Sequence, residues 1–194
     1  MTDDSFDFGA GLVPAHRHPK GGGWVANTAM VDATAYVGGE AWIYGEAQVC
    51  DKALVYNKAR VYGKAQVYGD AQVCGDARVF DEARVSGEAQ VSGKAWVYGK
   101  AQIYGEAQVY GDALVSGEAQ VSGKAQVSKP PIVIGGFEYL VILVDNWLFV
   151  GCKSVRAGDP LAADLWPEEI CPRLRRDAPL LIKLAEAHWA ECAK

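Results

Sequence analysis

Histidine is scarce in this sequence: His16, His18 and His188 are all there is, and none lies between Pro19 and Ala187. Chemistry that needs an imidazole as general base, or three imidazoles on zinc, therefore has little to build on in the middle of the chain. Cysteine is as uninformative. Cys50, Cys74, Cys152, Cys171 and Cys192 form no CxxC pair, and an odd, scattered set fits reduced thiols in a cytoplasm better than a disulfide framework. Long apolar runs are missing too. The longest, Tyr139–Val144, is far too short to cross a bilayer, so no membrane is expected. Residues 1–23 open with Asp3, Asp4 and Asp7 and hold no apolar stretch of signal-peptide length, so the expected location is cytoplasmic. No basic cluster stands out from the net charge of −5, and nucleic acid is not an expected partner. Gly21-Gly22-Gly23 lacks the Lys-Ser/Thr of a phosphate loop and reads as a flexible lead into the segment that starts at Trp24.

What is present is a repeat. Stepping by six from Val25 to Val127 meets only Val, apart from Ile43 and Ile103; stepping by six from Ala29 to Ala125 meets only Ala. The unit is Val-x-Gly-x-Ala-x. A period of six does not match the 3.6 of an α-helix, but it suits short strands joined by tight corners. In Ala-x-Val the first and third residues point inward and the middle one outward. The residue two after each Val sits where the chain turns. It is Gly except at Asn27, Ala33, Asp51, Asn57 and Asp81, and Asn and Asp best tolerate positive φ after Gly. Three strands make a triangular coil of 18 residues. The fold class expected is mainly β, a left-handed parallel β-helix of about six coils over residues 24–128, about 28 Å long. A lead-in of residues 1–23 precedes it and an appendage of residues 129–194 follows.

Residues 18 apart should stack, which sorts the outward side chains into columns. Two corner columns alternate in sign, Glu46, Lys64, Glu82, Lys100, Glu118 and Glu40, Lys58, Asp76, Lys94, Asp112, each pair worth about 0–1 kcal/mol at a surface. The third, Lys52, Asp70, Glu88, Glu106, Lys124, stacks three acids. Asp70, Glu88 and Glu106 are thus a candidate docking point for a basic partner or a weak cation site. One face carries Trp24, Trp42, Arg60, Arg78, Trp96 and Leu114 on one side of its valines and Tyr44, Tyr62, Phe80 and Tyr98 on the other. The other two faces are mostly Gln and Ser. A slab of aromatic rings and arginines has interface composition and exceeds the apolar patch that a monomer usually exposes, so a cover is expected: the chain's own terminal helix, another copy, or a target.

Lys129-Pro130-Pro131 ends the repeat. Phe137–Val144 and Trp147–Cys152, around Asp145-Asn146, read as a hairpin. Asp177-Ala178-Pro179 looks like a helix start, and residues 178–193 form an amphipathic helix with Leu, Ile and Ala on one side.

The repeat resembles the hexapeptide family, whose members include acyltransferases using acetyl- or succinyl-coenzyme A and zinc-dependent γ-class carbonic anhydrases, usually trimers with sites between subunits. The resemblance implies the fold; the site residues are what is missing. No coil histidine and no inserted loop are present, and the pair His16/His18 supplies at most two metal ligands. No cofactor is expected. Nearly the whole chain, from His18-Pro-Lys-Gly-Gly-Gly-Trp-Val-Ala26 through the hexads to Val150-Gly-Cys152 and the terminal helix, also resembles a group of hexapeptide-repeat proteins carried by phages and prophages. That resemblance implies a small protein acting in the host cytoplasm by binding a host protein, inhibitors of the anti-CRISPR kind being one example. The leading expectation is a non-catalytic, homo-oligomeric (dimeric or trimeric) binding protein; a hexapeptide acyltransferase and a structural rod or virion component are the alternatives.

Overall fold

The computed structural model of the chain describes residues 4–128 throughout and, beyond them, the backbone of the strands Ile132–Ile134, Val141–Val144, Trp147–Val150 and Lys153–Arg156. It divides into two compact units, residues 1–128 and 129–194.

The first unit is a β-solenoid. Each hexad gives one two-residue strand, such as Gln66–Val67 or Arg78–Val79. Each strand pairs in parallel with those 18 residues before and after it. Val49, Val67, Val85, Ile103 and Val121 are thereby stacked in one register. Six strands make each of the second and third faces, and the first face has eight. From Ala35 to Val109 every Ala and Val of the frame is fully buried. Burying a Val side chain contributes about 1.5–3 kcal/mol, and the small Ala beside it lets three strands meet around one narrow axis. The backbone closes the same way: Gln66, Tyr68 and Asp70 donate their N–H groups to Ala83, Val85 and Gly87 of the next coil at 2.9–3.0 Å.

The corners follow the expected chemistry from the second coil onward. Asp51, Asn57 and Asp81 hold φ near +60° and the corner glycines from Gly45 to Gly123 hold +65° to +74°. Asn27 and Gly39 do not adopt positive φ, so the Gly/Asn rule fails in the first coil, where Ala33 also departs from it. The reason is the capping segment, which supplies bonds the later corners must find within the solenoid. Asn27 N–H, for example, donates to Pro14 C=O at 2.9 Å.

Within the lead-in of residues 1–23 lies a capping hairpin. Strands β1 (Asp4–Asp7) and β2 (Leu12–Arg17) form an antiparallel hairpin, and β2 pairs antiparallel with β3 (Trp24–Ala26), the first strand of the solenoid. The open edge of the first face is thus covered, which removes a site for unwanted strand pairing. The glycine triplet is a fitted turn, not a flexible lead. Gly22 N–H donates to His18 C=O, His18 N–H to Gly23 C=O, and Gly23 N–H to Val37 C=O. Gly21 (φ +99°) lies so close to the Val37 carbonyl that a Cβ there would collide with it. The second face is capped least: Met30 at its N-terminal edge is 64% exposed.

In the second unit the four strands form one antiparallel sheet in chain order, Val141–Val144 pairing with Trp147–Val150. Asp145 and Asn146, where the hairpin turn is expected, lie outside the described residues, as does the expected helix 178–193. Among the described residues there is no helix, and so none long and apolar enough to cross a membrane.

Candidate interaction face

The register that buries the valines places their neighbours outward in two columns on the first face. Trp24, Trp42, Arg60, Arg78, Trp96 and Leu114 follow one another through successive strand pairs. On the other side of the valines the rings stack. Tyr44 lies on Tyr62 at 4.8 Å and 3°, Tyr62 on Phe80 at 4.9 Å and 1°, and Phe80 on Tyr98 at 4.9 Å and 4°. The stack repeats at the 4.7–4.9 Å spacing of the strands beneath it. Each contact contributes about 0.5–1.5 kcal/mol beyond area burial. Because ring faces are turned on one another, the column presents ring edges and the hydroxyls of Tyr44, Tyr62 and Tyr98.

In the first column the arginines lie over indoles. The Arg60 guanidinium is 4.1 Å from the Trp42 ring centre and that of Arg78 is 5.0 Å from Trp96. Trp42 and Trp96 therefore bracket two adjacent cations. The six-residue arithmetic does not reveal that the N-terminal hairpin extends both columns. Phe8 stacks on Tyr44 at 5.0 Å, Phe6 stacks on Trp24 at 4.4 Å and meets Trp42 edge-on, and Arg17 lies 4.1 Å over Trp24. The alternation Phe6-x-Phe8 followed by Gly9-Ala-Gly11 is the available signal for a strand and turn. Asp7 fixes that turn by accepting from Gly9 N–H at 2.7 Å and Gly11 N–H at 2.9 Å, which holds its carboxyl below the usual carboxylate range.

Among the described residues, a cover is seen at one end. Phe6 and Phe8 cover Trp24, Trp42 and Tyr44. Further along, Arg60, Tyr62, Arg78, Phe80, Tyr98 and Leu114 are half-buried by their own neighbours and Trp96 is 40% exposed. Burial raises the Tyr44 and Tyr62 hydroxyls above their ordinary range, the neighbouring Tyr62 adding to the effect at Tyr44 and the arginines opposing it at both. Between the hairpin and Arg78 runs a groove of about 350 Å³ floored by Trp24 and Trp42 and lined by Arg17, Arg60 and Arg78.

Other expected sites are not assembled. His18 is buried, with Nε2 3.2 Å from Asp32 C=O and Nδ1 3.3 Å from Lys20 N–H. Nδ1 also lies 3.1 Å from Lys20 C=O, so both ring nitrogens contact backbone and the ring works as a clamp on the first coil. His16 Nδ1 is 2.9 Å from the Asn27 side-chain oxygen. No group of three metal-ligating side chains occurs among the described residues, so His16 and His18 gain no third ligand there. The charge ladders also differ from expectation. Among the described residues the one ion pair within 4 Å is Lys124–Glu106 at 3.8 Å, and it belongs to the third column, not to the two alternating ones. Long side chains on a solvated corner gain too little from one another to hold contact. Asp70, Glu88 and Glu106 are all exposed. Cys50 is a free, half-buried thiol raised by burial and by Asp32 and Asp51, the opposite of an activated nucleophile.

Compared with known proteins, the chain matches no curated sequence. Residues 71–87 and 107–123 match the family described as the YdcK beta-solenoid repeat. Both stretches begin at an Ala that leads into a strand of the third face, Gln72–Val73 and Gln108–Val109, two coils apart. What this protein shares with that family is therefore the repeat itself: it is a β-solenoid of coils similar to those of the YdcK repeat.

Proposed function

We propose that this protein is a non-catalytic binding scaffold whose solenoid holds one face of rings and guanidiniums rigid for another protein to dock on. The observation that carries this reading is the open stretch Arg60–Arg78–Trp96 beside the Tyr62–Phe80–Tyr98 stack, because ordered aromatic and arginine side chains lose little entropy on binding. In this reading the coils wind left-handed, and residues 137–152 and 178–193 add a hairpin and an amphipathic helix. The protein works in the cytoplasm as a homo-oligomer, and a phage origin makes a host protein, defence components included, the target. The test is Arg60→Glu with Arg78→Glu in the full chain. The variant is expected to change the mass in light scattering or to lose partners captured by the wild type. An unchanged mass together with unchanged capture overturns the reading.

A further inference from the structure

The Arg60 and Arg78 guanidiniums have hydrogen-bonding capacity that the solenoid leaves unused. Each lies over an indole, and a guanidinium carries five N–H donors and no acceptor. Among the described residues neither makes a hydrogen bond, and neither has a carboxylate within 4 Å. The two stand on adjacent paired strands, about 4.8 Å apart at the backbone, and both line the same groove. The side chains are half-buried, so two like charges share a partly dehydrated groove with no counter-charge in contact.

The charge of the groove has the matching sign. Arg17, Lys58, Arg60 and Arg78 line it against two carboxylates, Glu40 and Asp76, a local excess of two positive charges in a chain whose net charge is −5. Arg17 is already engaged, donating to Gly22 C=O at 2.7 Å and Gly39 C=O at 3.1 Å. That leaves Lys58, Arg60 and Arg78 without a side-chain hydrogen bond or ion pair among the described residues, and of the three only the arginines carry a planar fork of donors. Glu40 and Asp76 in the lining disfavour a polyanion such as a polyphosphate chain, while the net excess of positive charge still favours a single carboxylate. The exposed edge of Trp96 gives an apolar lip for the stem of the inserted side chain.

We infer that Arg60 and Arg78 form a carboxylate-binding cleft, bracketed by Trp42 and Trp96, that anchors an acidic segment of a partner protein. This rests on the binding-scaffold reading and names the chemistry of its ligand. Charge-assisted, two-pronged hydrogen bonds of this kind give specificity as well as affinity, and the contact weakens as salt is added.

The test uses the full chain and a synthetic oligoglutamate peptide, with binding followed by tryptophan fluorescence and calorimetry. Oligolysine and a single-stranded oligonucleotide are the comparison probes. Oligoglutamate is expected to bind, with affinity falling as salt rises. Arg60→Gln with Arg78→Gln is expected to weaken it about 10-fold or more. Arg60→Lys keeps the charge without the fork and is expected to fall between. Arg84→Gln, on the second face, is expected to bind like the wild type, and circular dichroism of each variant checks that the solenoid is intact. The inference is overturned if folded double variant and wild type bind the peptide equally, or if the oligonucleotide binds more tightly than the peptide. It is equally overturned if the wild type ignores the peptide but self-associates in a way that needs Arg60, Arg78 and the acidic column Asp70, Glu88 and Glu106, since the occupant is then a second copy. A changed mass or lost capture in Arg60→Glu with Arg78→Glu, combined with no peptide binding by the wild type, leaves the scaffold reading standing and removes only the carboxylate cleft.

Discussion

Val61, Val67 and Val73 occupy the same place on the three faces of one coil, and all three are fully buried. Outside, Val61 is flanked by Arg60 and Tyr62, Val67 by Gln66 and Tyr68, and Val73 by Gln72 and Cys74. The interior treats the faces as equal and the exterior does not. Val and Ala inward with a left-handed corner suffice to stack a coil, so the outward positions are released from the demands of the fold. On the second and third faces they carry little structure of their own: Gln126 and Gln108 meet only at 3.5 Å, as do Tyr104 and Gln120. On the first face the same positions form two continuous columns. An outward residue type that the fold does not require is evidence about contact rather than about stability.

The sharpest way to break the equality of the faces is at the corners they share. A Cβ on Gly93 (φ +70°) would lie 2.7 Å from Gly111 N, whereas on Gly117 (φ +66°) it meets nothing within 4 Å among the described residues. Gly117→Ala is expected to cost about 1–2 kcal/mol, from the left-handed backbone alone. Gly93→Ala is expected to cost about 3 kcal/mol or more, because the next coil must also move. Urea unfolding of the two variants reads the difference, and equal losses would show that coil-to-coil contact adds nothing. The core gives the complementary result. Val61→Ala, Val67→Ala and Val73→Ala should each cost about 2 kcal/mol and agree among themselves. A first-face variant that loses much more than the others contradicts an interior indifferent to what lies outside.

The solenoid was legible because each of its requirements recurs every six residues: one Val, one Ala and one corner, repeated until chance is excluded. The columns of the first face were legible for the same reason, since 18-residue stacking is arithmetic once the coil is known. The cap was not. His18, Gly21 and Phe6 each occur once in their roles, and no period marks them. His18 in particular reads as half of a metal pair because sequence shows only its spacing from His16. Its buried contacts to Asp32 and Lys20 depend on how the hairpin folds back over the first coil. Arg60 and Arg78 were legible as outward residues of the first face, but their pairing with Trp42 and Trp96 rather than with Glu40 or Asp76 comes from side-chain packing that no pattern encodes.

A smaller effect separates the faces by their rings. Tyr62→Ala removes two stacking contacts, to Tyr44 and Phe80, and is expected to cost about 1–3 kcal/mol. Tyr68→Ala on the second face, where the ring is 39% exposed, should stay within about 0.5 kcal/mol. The pH dependence has the corresponding sign. Burial raises Tyr44 and Tyr62 in the folded state, so the fold holds those protons more tightly than the unfolded chain does. Their contribution is complete below the ordinary tyrosine value near 10 and is lost as pH climbs through the raised folded values. Tyrosinate absorbance should show three residues ionising late in the native protein, Tyr44 and Tyr62 in the stack and Tyr56 on the third face, where a hydrogen bond to Cys74 and burial raise the hydroxyl, and Tyr62→Phe should lessen the alkaline loss of stability. Simultaneous ionisation of all the tyrosines would mean that the stack is open to water.

The smallest expected effect concerns the corner charges. Lys124 and Glu106 form an ion pair at 3.8 Å with side chains 81% and 59% exposed. At such exposure water screens most of the attraction, and holding two long side chains together costs entropy that offsets the rest. Lys124→Ala is therefore expected to shift unfolding by less than about 0.5 kcal/mol, and added salt should not reveal more. A loss above about 1 kcal/mol would mean that the third column holds the last coils together. The contrast with the first face then lies in what each set of charges touches. Lys124 has a partner but is so solvated that the pairing contributes little. Arg60 and Arg78 lie over indoles, partly withdrawn from water and without a carboxylate in reach. An arriving acidic group meets far less solvent competition at those two arginines than at any corner lysine, which is why the proposed binding site is placed on the face and not at the corners.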